Sequence, residues 1–371
     1  MRRALIVGVL ICAVAGLVAA QSSLVLWGSR LRYIFLDRFN TDADAPLSAP
    51  RACEPGPGSW KTLTDSTNKI SITSQELNFS GGLSVLGDPA IWSTAITTTG
   101  GTALLFDALA NSNASFWIGW DTNTLGAPVD AIVFSGATTI NKFYVSSDTS
   151  VFAPFPIVHP MSWGMIRRAS AGVFFVSRVP GEAWKLRWVA AVGSNGTRYV
   201  SLQSWKNPAR YDNVRVVNLP GWTTDAQIYT SYMASPANPT SAAATADLLA
   251  EVIWTPVAGE TLELWIRRSD AQNGWIHRCS ESSSTMKIIE VVSGVETERA
   301  STAVTWTPAT PVRIVVTADD TEIRQYSGTA PRNTYSSASS NKTVGGVYLS
   351  GHTTASNLYC WPRYVPIPGG V

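Results

Sequence analysis

Along most of the chain, apolar and polar residues alternate over short segments. Clusters of Gly, Pro, Asn, Asp and Ser close those segments off. A period of two places alternate side chains on opposite faces of an extended backbone, which marks a half-buried strand. The first half carries this pattern at Thr102–Leu109, Ser115–Trp120, Ala131–Ser135, Lys142–Ser146, Gly172–Arg178, Lys185–Val192 and Arg198–Gln203. The second half carries it at Leu248–Trp254, Thr261–Arg267, Gly274–Cys279, Met286–Val292, Val312–Ala318, Glu322–Tyr326 and Val347–Ser350. Ser194-Asn195-Gly196 has the Asn-Gly pair of a tight hairpin. Val292-Ser293-Gly294 and Ala318-Asp319-Asp320-Thr321 read as further turns. No long segment shows helical spacing. The expected fold is all-β, two tandem antiparallel β-sandwiches.

Asn218-Leu219-Pro220-Gly221-Trp222 breaks any strand and marks the boundary between the units. The pattern places a first sandwich at 32–218, a second at 222–365 and a tail at 366–371, the end of a proline-rich terminal extension from Pro362. Each half closes on an Asn, an apolar stretch and a proline exit, at Asn213 to Pro220 and at Asn357 to Pro366. A strand running into a proline stop explains this generically, and duplication explains it more sharply.

Residues 1–20 are different in kind. Arg2 and Arg3 lead into an unbroken small and apolar run, Ala4 to Ala20, ending in Val18-Ala19-Ala20. That order of charge, apolar stretch and small residues is the pattern of a secretory signal peptide. A retained anchor is the alternative, but the run is short against the roughly 20 apolar residues of a full span. Export implies a secreted or surface-associated protein.

Length and charge bound the function. The 371 residues suit two domains, and the formal net charge is only +2 with no basic block, so nucleic acid is not an expected partner. Cys53, Cys279 and Cys360 follow the apolar run. An oxidising compartment admits a Cys279–Cys360 disulfide, although free buried thiols fit equally well. With 15 Trp, aromatic residues must fill cores or line surfaces.

Phe35-Leu36-Asp37-Arg38-Phe39-Asn40, then Asp42, Leu47, Gly58, Trp60 and Ile70, resemble the opening of concanavalin A-like jelly-roll domains of the lectin, glucanase and laminin-G-like type. In those domains an Asp-x-Phe-Asn turn leads to a Gly-x-Trp strand. The second half resembles the same class through Leu264-Trp265-Ile266-Arg267, Asp270, Asn273-Gly274-Trp275, Glu290-Val291-Val292, Val312–Val316 and Ile323–Tyr326. The resemblance implies two tandem copies of paired curved sheets, often with a concave face toward a glycan. Relatives include lectins, glycoside hydrolases and adhesion modules, and some bind calcium at the sandwich rim.

Hydrolase chemistry needs carboxylates clustered at alternate strand positions. No Glu-x-Asp-x-Glu run occurs, and Glu296-Thr297-Glu298 sits beside a Ser-Gly turn. Nucleophilic Gly-x-Ser-x-Gly and metal-binding His-Glu-x-x-His motifs are missing too, and His159, His277 and His352 are scattered. Sugar binding needs an aromatic platform with polar neighbours. In Thr261–Arg267, alternation turns Leu262, Leu264 and Ile266 one way and Glu263, Trp265 and Arg267 the other. Trp265 flanked by two charges is therefore the strongest platform in the chain, with Trp275 and His277 expected beside it on the next strand. Trp117 offers a second aromatic position, opposing Phe116, Ile118 and Trp120 together with Asp121. For calcium, Asp42 and Asp44 offer loop oxygens, as do Asp319 and Asp320, but no EF-hand pattern surrounds them. No cofactor other than possible calcium is expected.

These readings lead to an exported, non-catalytic protein that binds a glycan at a cell or particle surface. The alternative is a structural or adhesive subunit of a viral appendage or extracellular assembly, including a homo-oligomer. A glycoside hydrolase fits least.

Overall fold

The computed structural model describes residues 33–39, 45–53, 56–80, 88–111, 115–122, 129–135, 139–145, 148–156, 160–168, 172–190, 195–204, 208–219, 231–233, 240–242, 246–343, 346–351, 355–362, 364–365 and 367. All regular structure among them is strand, and no helix there is long and apolar enough to cross a membrane. Residues 1–20, with the expected signal, lie outside the described residues, as do Asp42 and Asp44.

Residues 33–218 build a nine-stranded antiparallel sheet and nine strands of a ten-stranded one, whose tenth strand is Tyr364–Val365. At the centre of the larger sheet, Ala209–Asn218, Thr102–Asn111, Met161–Arg167, Val173–Arg178 and Trp184–Ala190 lie side by side. The smaller sheet centres on Asp130–Ser135, Ser115–Asp121, Gly196–Ser204 and Ala90–Ser93. Aromatic rings fill the space between them. Phe106 meets Phe134 at 6.2 Å, Phe134 meets Trp163 at 6.0 Å, and Phe143 stacks on Phe175 at 4.5 Å.

A buried carboxylate ties the start of this unit together. Asp37 accepts bonds from the Trp60 indole (2.7 Å), the Arg51 guanidinium (2.9 Å) and the Phe39 amide (3.0 Å). Phe35 meets Trp60 edge-on at 4.9 Å. Gly58 at φ +101° lets the backbone pass, since a Cβ there would stand 2.5 Å from the Phe35 ring. The Asp-x-Phe and Gly-x-Trp segments noted in the sequence are thus one contact, closed through a fully buried anion.

The second unit has two six-stranded sheets. One contains Leu248–Trp254, Val312–Asp319, Glu322–Ser327 and Ala355–Pro362, and the other Gly346–Ser350, Thr261–Asp270, Asn273–Ser280, Thr285–Val292 and Val295–Ala303. Leu248, Ala250, Val252 and Trp254 turn inward to meet Leu264, Ile266, Trp275 and Ile288.

The first of these sheets is buried on both faces. Leu249, Val315, Tyr326 and Trp361 turn outward into the core cluster of the first unit. Trp188 meets Tyr326 at 4.9 Å, and Phe174 meets Trp361 at 6.2 Å. Double burial explains near-continuous apolar runs such as Ile314-Val315-Val316. Arg313 crosses this interface. It pairs with Glu251 at 2.5 Å, donates to the Val189 carbonyl and lies over Trp188 at 5.0 Å. Lys185 pairs with Asp319 at 2.8 Å.

Two sequence expectations change here. The terminal segment is not a free extension, because Tyr364–Val365 pairs with Trp184–Lys185 of the first unit and Ile367 is buried in that unit's core. Nor are Cys279 and Cys360 joined, since both are free and buried. They line opposite sheets of one core, and sheets pack about 10 Å apart, beyond the roughly 7 Å Cα reach of a disulfide. Burial pushes the Cys360 thiol up to about 12 and the Cys279 thiol higher still.

Removing the Asp37 carboxylate takes away the acceptor of the buried Trp60 indole N–H and one partner of the Arg51 guanidinium. Asp37→Ala is expected to lower unfolding stability by about 3 kcal/mol, read as a lower denaturation midpoint, while Arg51→Ala, which removes one donor only, costs less.

Candidate functional site

Strand Thr261–Asp270 lies between Gly346–Ser350 and Asn273–Ser280. Leu262, Leu264 and Ile266 enter the core, so Glu263 and Trp265 turn outward. Register sets Trp265 opposite Tyr348 on one side and Ile276 on the other, with Ile289 one strand further. Beside this apolar row runs a polar one of Ser350, Glu263, Arg278 and Lys287.

The polar row is closely paired. Arg278 reaches Glu263 at 2.6 Å and grips Glu296 through two bonds of 2.8 and 2.9 Å. Those bonds hold the Glu296 carboxyl below the usual carboxylate range. Lys287 pairs with Glu298 at 2.8 Å, and Ser350 donates to Glu263 at 3.1 Å. Glu296 and Glu298 lie on a strand, Val295–Ala303, Glu298 paired with a cation of the adjacent strand and Glu296 with one from the strand beyond it.

Trp265 differs from its neighbours. It is 9% exposed, and its indole Nε1 is buried with no hydrogen-bond partner among the described residues. The ring packs on the backbone of Gly274, where a Cβ would stand 3.3 Å from Trp265 Cε3. Arg268 spans the aromatic pair, its guanidinium 5.1 Å from the Trp265 ring centre and 4.0 Å from that of Tyr348. Its Nε donates to the Asp270 carbonyl at 2.9 Å, which fixes the group in place. Unpaired indole donor, flat guanidinium, tyrosine and the Glu263 carboxylate together offer donors, an acceptor and an aromatic surface.

Arg267, Trp275 and His277 are not on this face. Register slips between Ile266 and Asp270, and Arg267 adopts φ +49°. The bulge turns Arg267 inward, fully buried. It donates to the Ala246 carbonyl (3.0 Å), the Asp320 carbonyl (2.6 Å) and Asp247 (3.0 Å), clamping the end of the sandwich. Trp275 pairs with Ile266 and His277 with Leu264, and both follow those residues into the core. Trp275 donates to the Ser340 carbonyl at 3.0 Å. His277 is fully buried with neither ring nitrogen partnered among the described residues.

Trp117 lies on the outer face of the nine-stranded sheet, buried beside Ala131 and Val133. On the same face Trp92 donates to Asp121 at 3.1 Å, and Gln203 donates to Ser201 at 2.8 Å. Asp319 and Asp320 are engaged by Lys185 and Lys342. Among the described residues no group of three or more His, Cys, Asp or Glu side chains is placed to hold a metal. Sequence reasoning missed Tyr348, Arg268 and Trp92. Only cross-strand register brings Tyr348 to Trp265, and no local pattern carries it.

No family model matches the chain, and no curated protein does. Among solved structures it is similar to a carbohydrate binding module from Bacillus subtilis, with 12% identity over 35% of this chain and 85% of that one and a TM-score of 0.29. Chicken galectin 2 matches at 6% identity, over 36% and 95%, with a TM-score of 0.27. The catalytic domain of an endo-1,3-beta-glucanase (laminarinase) from Thermotoga petrophila matches at 8% identity, over 52% and 99%, with a TM-score of 0.35.

Burial holds the His277 imidazole at about 3, against an ordinary value of 6.5. The folded state thus resists a proton that the unfolded state accepts below 6.5. Stability is complete above that pH and falls on acidification toward 3, by at most about 1.4 kcal/mol per pH unit from this group. His277→Leu is expected to flatten that part of the acid limb in chemical denaturation measured from pH 7 to pH 4.

Proposed function

We propose that the protein is an exported, non-catalytic glycan-binding protein that holds its ligand at Trp265, Tyr348, Arg268 and Glu263. One observation carries the reading: a nine-tenths-buried tryptophan at a sheet surface keeps an unpaired indole N–H beside an outward-facing guanidinium. A sugar supplies the missing acceptor through a hydroxyl or ring oxygen, and its own hydroxyls meet Arg268 and Glu263. A neutral ligand fits best, because the neighbouring charges of Arg278, Glu296, Lys287 and Glu298 are already paired. In affinity electrophoresis through a panel of neutral polysaccharides, at least one retards the intact protein. Trp265→Ala then loses that retardation, and Tyr348→Ala weakens it about tenfold, equivalent to roughly 1.4 kcal/mol. Migration unchanged by every polysaccharide overturns the reading.

A structural or adhesive role is the second reading, favoured by strand Val295–Ala303. It forms the edge of its sheet, with most of its residues exposed and Val295 66% exposed. Unpaired backbone groups on such an edge can take another strand. Light scattering on purified protein separates the readings, with a monomer expected for a binding protein and a large regular oligomer for an assembly subunit.

A further inference from the structure

Strands Ala209–Asn218 and Thr102–Asn111 do not pair evenly. Asp212 faces Asp107 and Arg215 faces Leu105, so Asn213 and Val214 together oppose Phe106 alone. Phe106 packs on Phe134 across the core, so its neighbour Asp107 turns outward. In a regular strand, Asp212 and Arg215, three residues apart, would face opposite ways. The bulge brings both to the outer face beside Asp107.

The side chains there are tied together but not satisfied. Asn213, at φ +50°, uses its Nδ2 to join Asp107 (2.8 Å) and Asp212 (3.1 Å). Arg215 is fully buried and donates through Nη1 to the Asn213 carbonyl at 2.8 Å. Its Nε and Nη2 have no partner among the described residues, and the same holds for Asp107 Oδ1 and Arg38 Nε. Asp107, Asp212, Asn213 and Arg38 are each only half-buried, so the cluster borders solvent while Arg215 lies beneath it. Burial and the like charges of Asp107 and Glu76 raise the Asp212 carboxyl to about 6.

An unpaired buried guanidinium edge is costly. Nε and Nη2 are also two parallel donors whose spacing matches the two oxygens of a carboxylate. Asp107 Oδ1 needs the opposite, a donor such as a hydroxyl. A ligand with a carboxylate next to a hydroxyl meets both requirements. We propose that this bulge forms a second ligand site, for a sugar bearing a carboxylate of the uronic acid type. Its carboxylate sits on Arg215 with Arg38 beside it, and an adjacent hydroxyl donates to Asp107. The site does not depend on the reading of Trp265, which lies in the other unit.

Calorimetric titration of the full chain with an oligoglucuronate, a matched neutral glucose oligosaccharide and acetate tests this. Oligoglucuronate is expected to bind at least tenfold more tightly than either control. Arg215→Lys keeps the charge but removes the fork, and should cost tenfold or more. Asn213→Gly suits the positive φ and so folds, yet frees the two carboxylates, and should weaken binding several-fold. Thermal melting verifies that each variant is folded. Equal affinity for the neutral oligosaccharide overturns the proposal, as does acetate binding as tightly as oligoglucuronate. Absence of any oligoglucuronate binding, or full binding by folded Asn213→Gly, overturns it as well, and an ordered water joining Arg215 to Asp107 then accounts for the cluster.

Discussion

Every surface in this protein is set by the pleat of its strands. Successive side chains must face opposite ways, so a sheet with one face in a core commits the other to a second task. In strand Thr261–Asp270 the committed residues are Leu262, Leu264 and Ile266, and Trp265 is outside because they are inside. Only a bulge can break that bond between neighbours. The slip after Ile266 takes Arg267 off the outer face and commits it to Ala246-Asp247 and Asp320 at the end of the sandwich. The slip after Asp212 does the reverse, bringing Arg215 onto a face it would otherwise miss.

The same constraint makes the two units one packing problem. Leu248–Trp254 and Val312–Asp319 give their even positions to their own sandwich and Leu249 and Val315 to the neighbouring one. An apolar sheet face must be covered, and here Phe174, Trp188 and their neighbours cover it. The chain then returns, and Tyr364–Val365 adds a strand to the first unit's sheet. Glu251 and Arg313, a charged pair in this contact, bring directional bonds to an otherwise non-directional surface. Such a pair adds little net stability over apolar residues of the same size, but it penalises any other alignment of the two sheets.

Much of this was legible in the sequence, because alternation is a local signal. Leu248–Trp254 was bounded correctly, and Thr261–Arg267 was correct in the facing of all its residues except Arg267. Segments buried on both faces, such as Met161–Arg167, gave no alternation to read. Val295–Ala303, with few apolar residues, gave none either and is held by its partner strand and by Arg278 and Lys287. Trp275 and His277 were misplaced for a different reason. Their facing depends on the register against Leu264 and Ile266, which is a property of two strands. The wealth of tryptophan was ambiguous for a similar reason. Trp60, Trp120, Trp163 and Trp254 are fully buried, and composition alone could not separate them from Trp265.

The charge pattern around Trp265 narrows what that face can accept. Ile276, Ile289 and Val291 are buried although they belong to an outer face, packed with Trp265 and Tyr348 beside the ion pairs of Arg278 and Lys287. Exposed ion pairs of this kind contribute little to stability. Their effect is to close the face to flat apolar partners and to neighbouring sheets, since a partner would have to strip paired charges of water and counter-charge at once. A small polar ligand avoids that penalty by entering where donors are not already engaged. On the described part of this face the Trp265 indole is such a donor, with the Arg268 guanidinium beside it, so new hydrogen bonds made there break no ion pair.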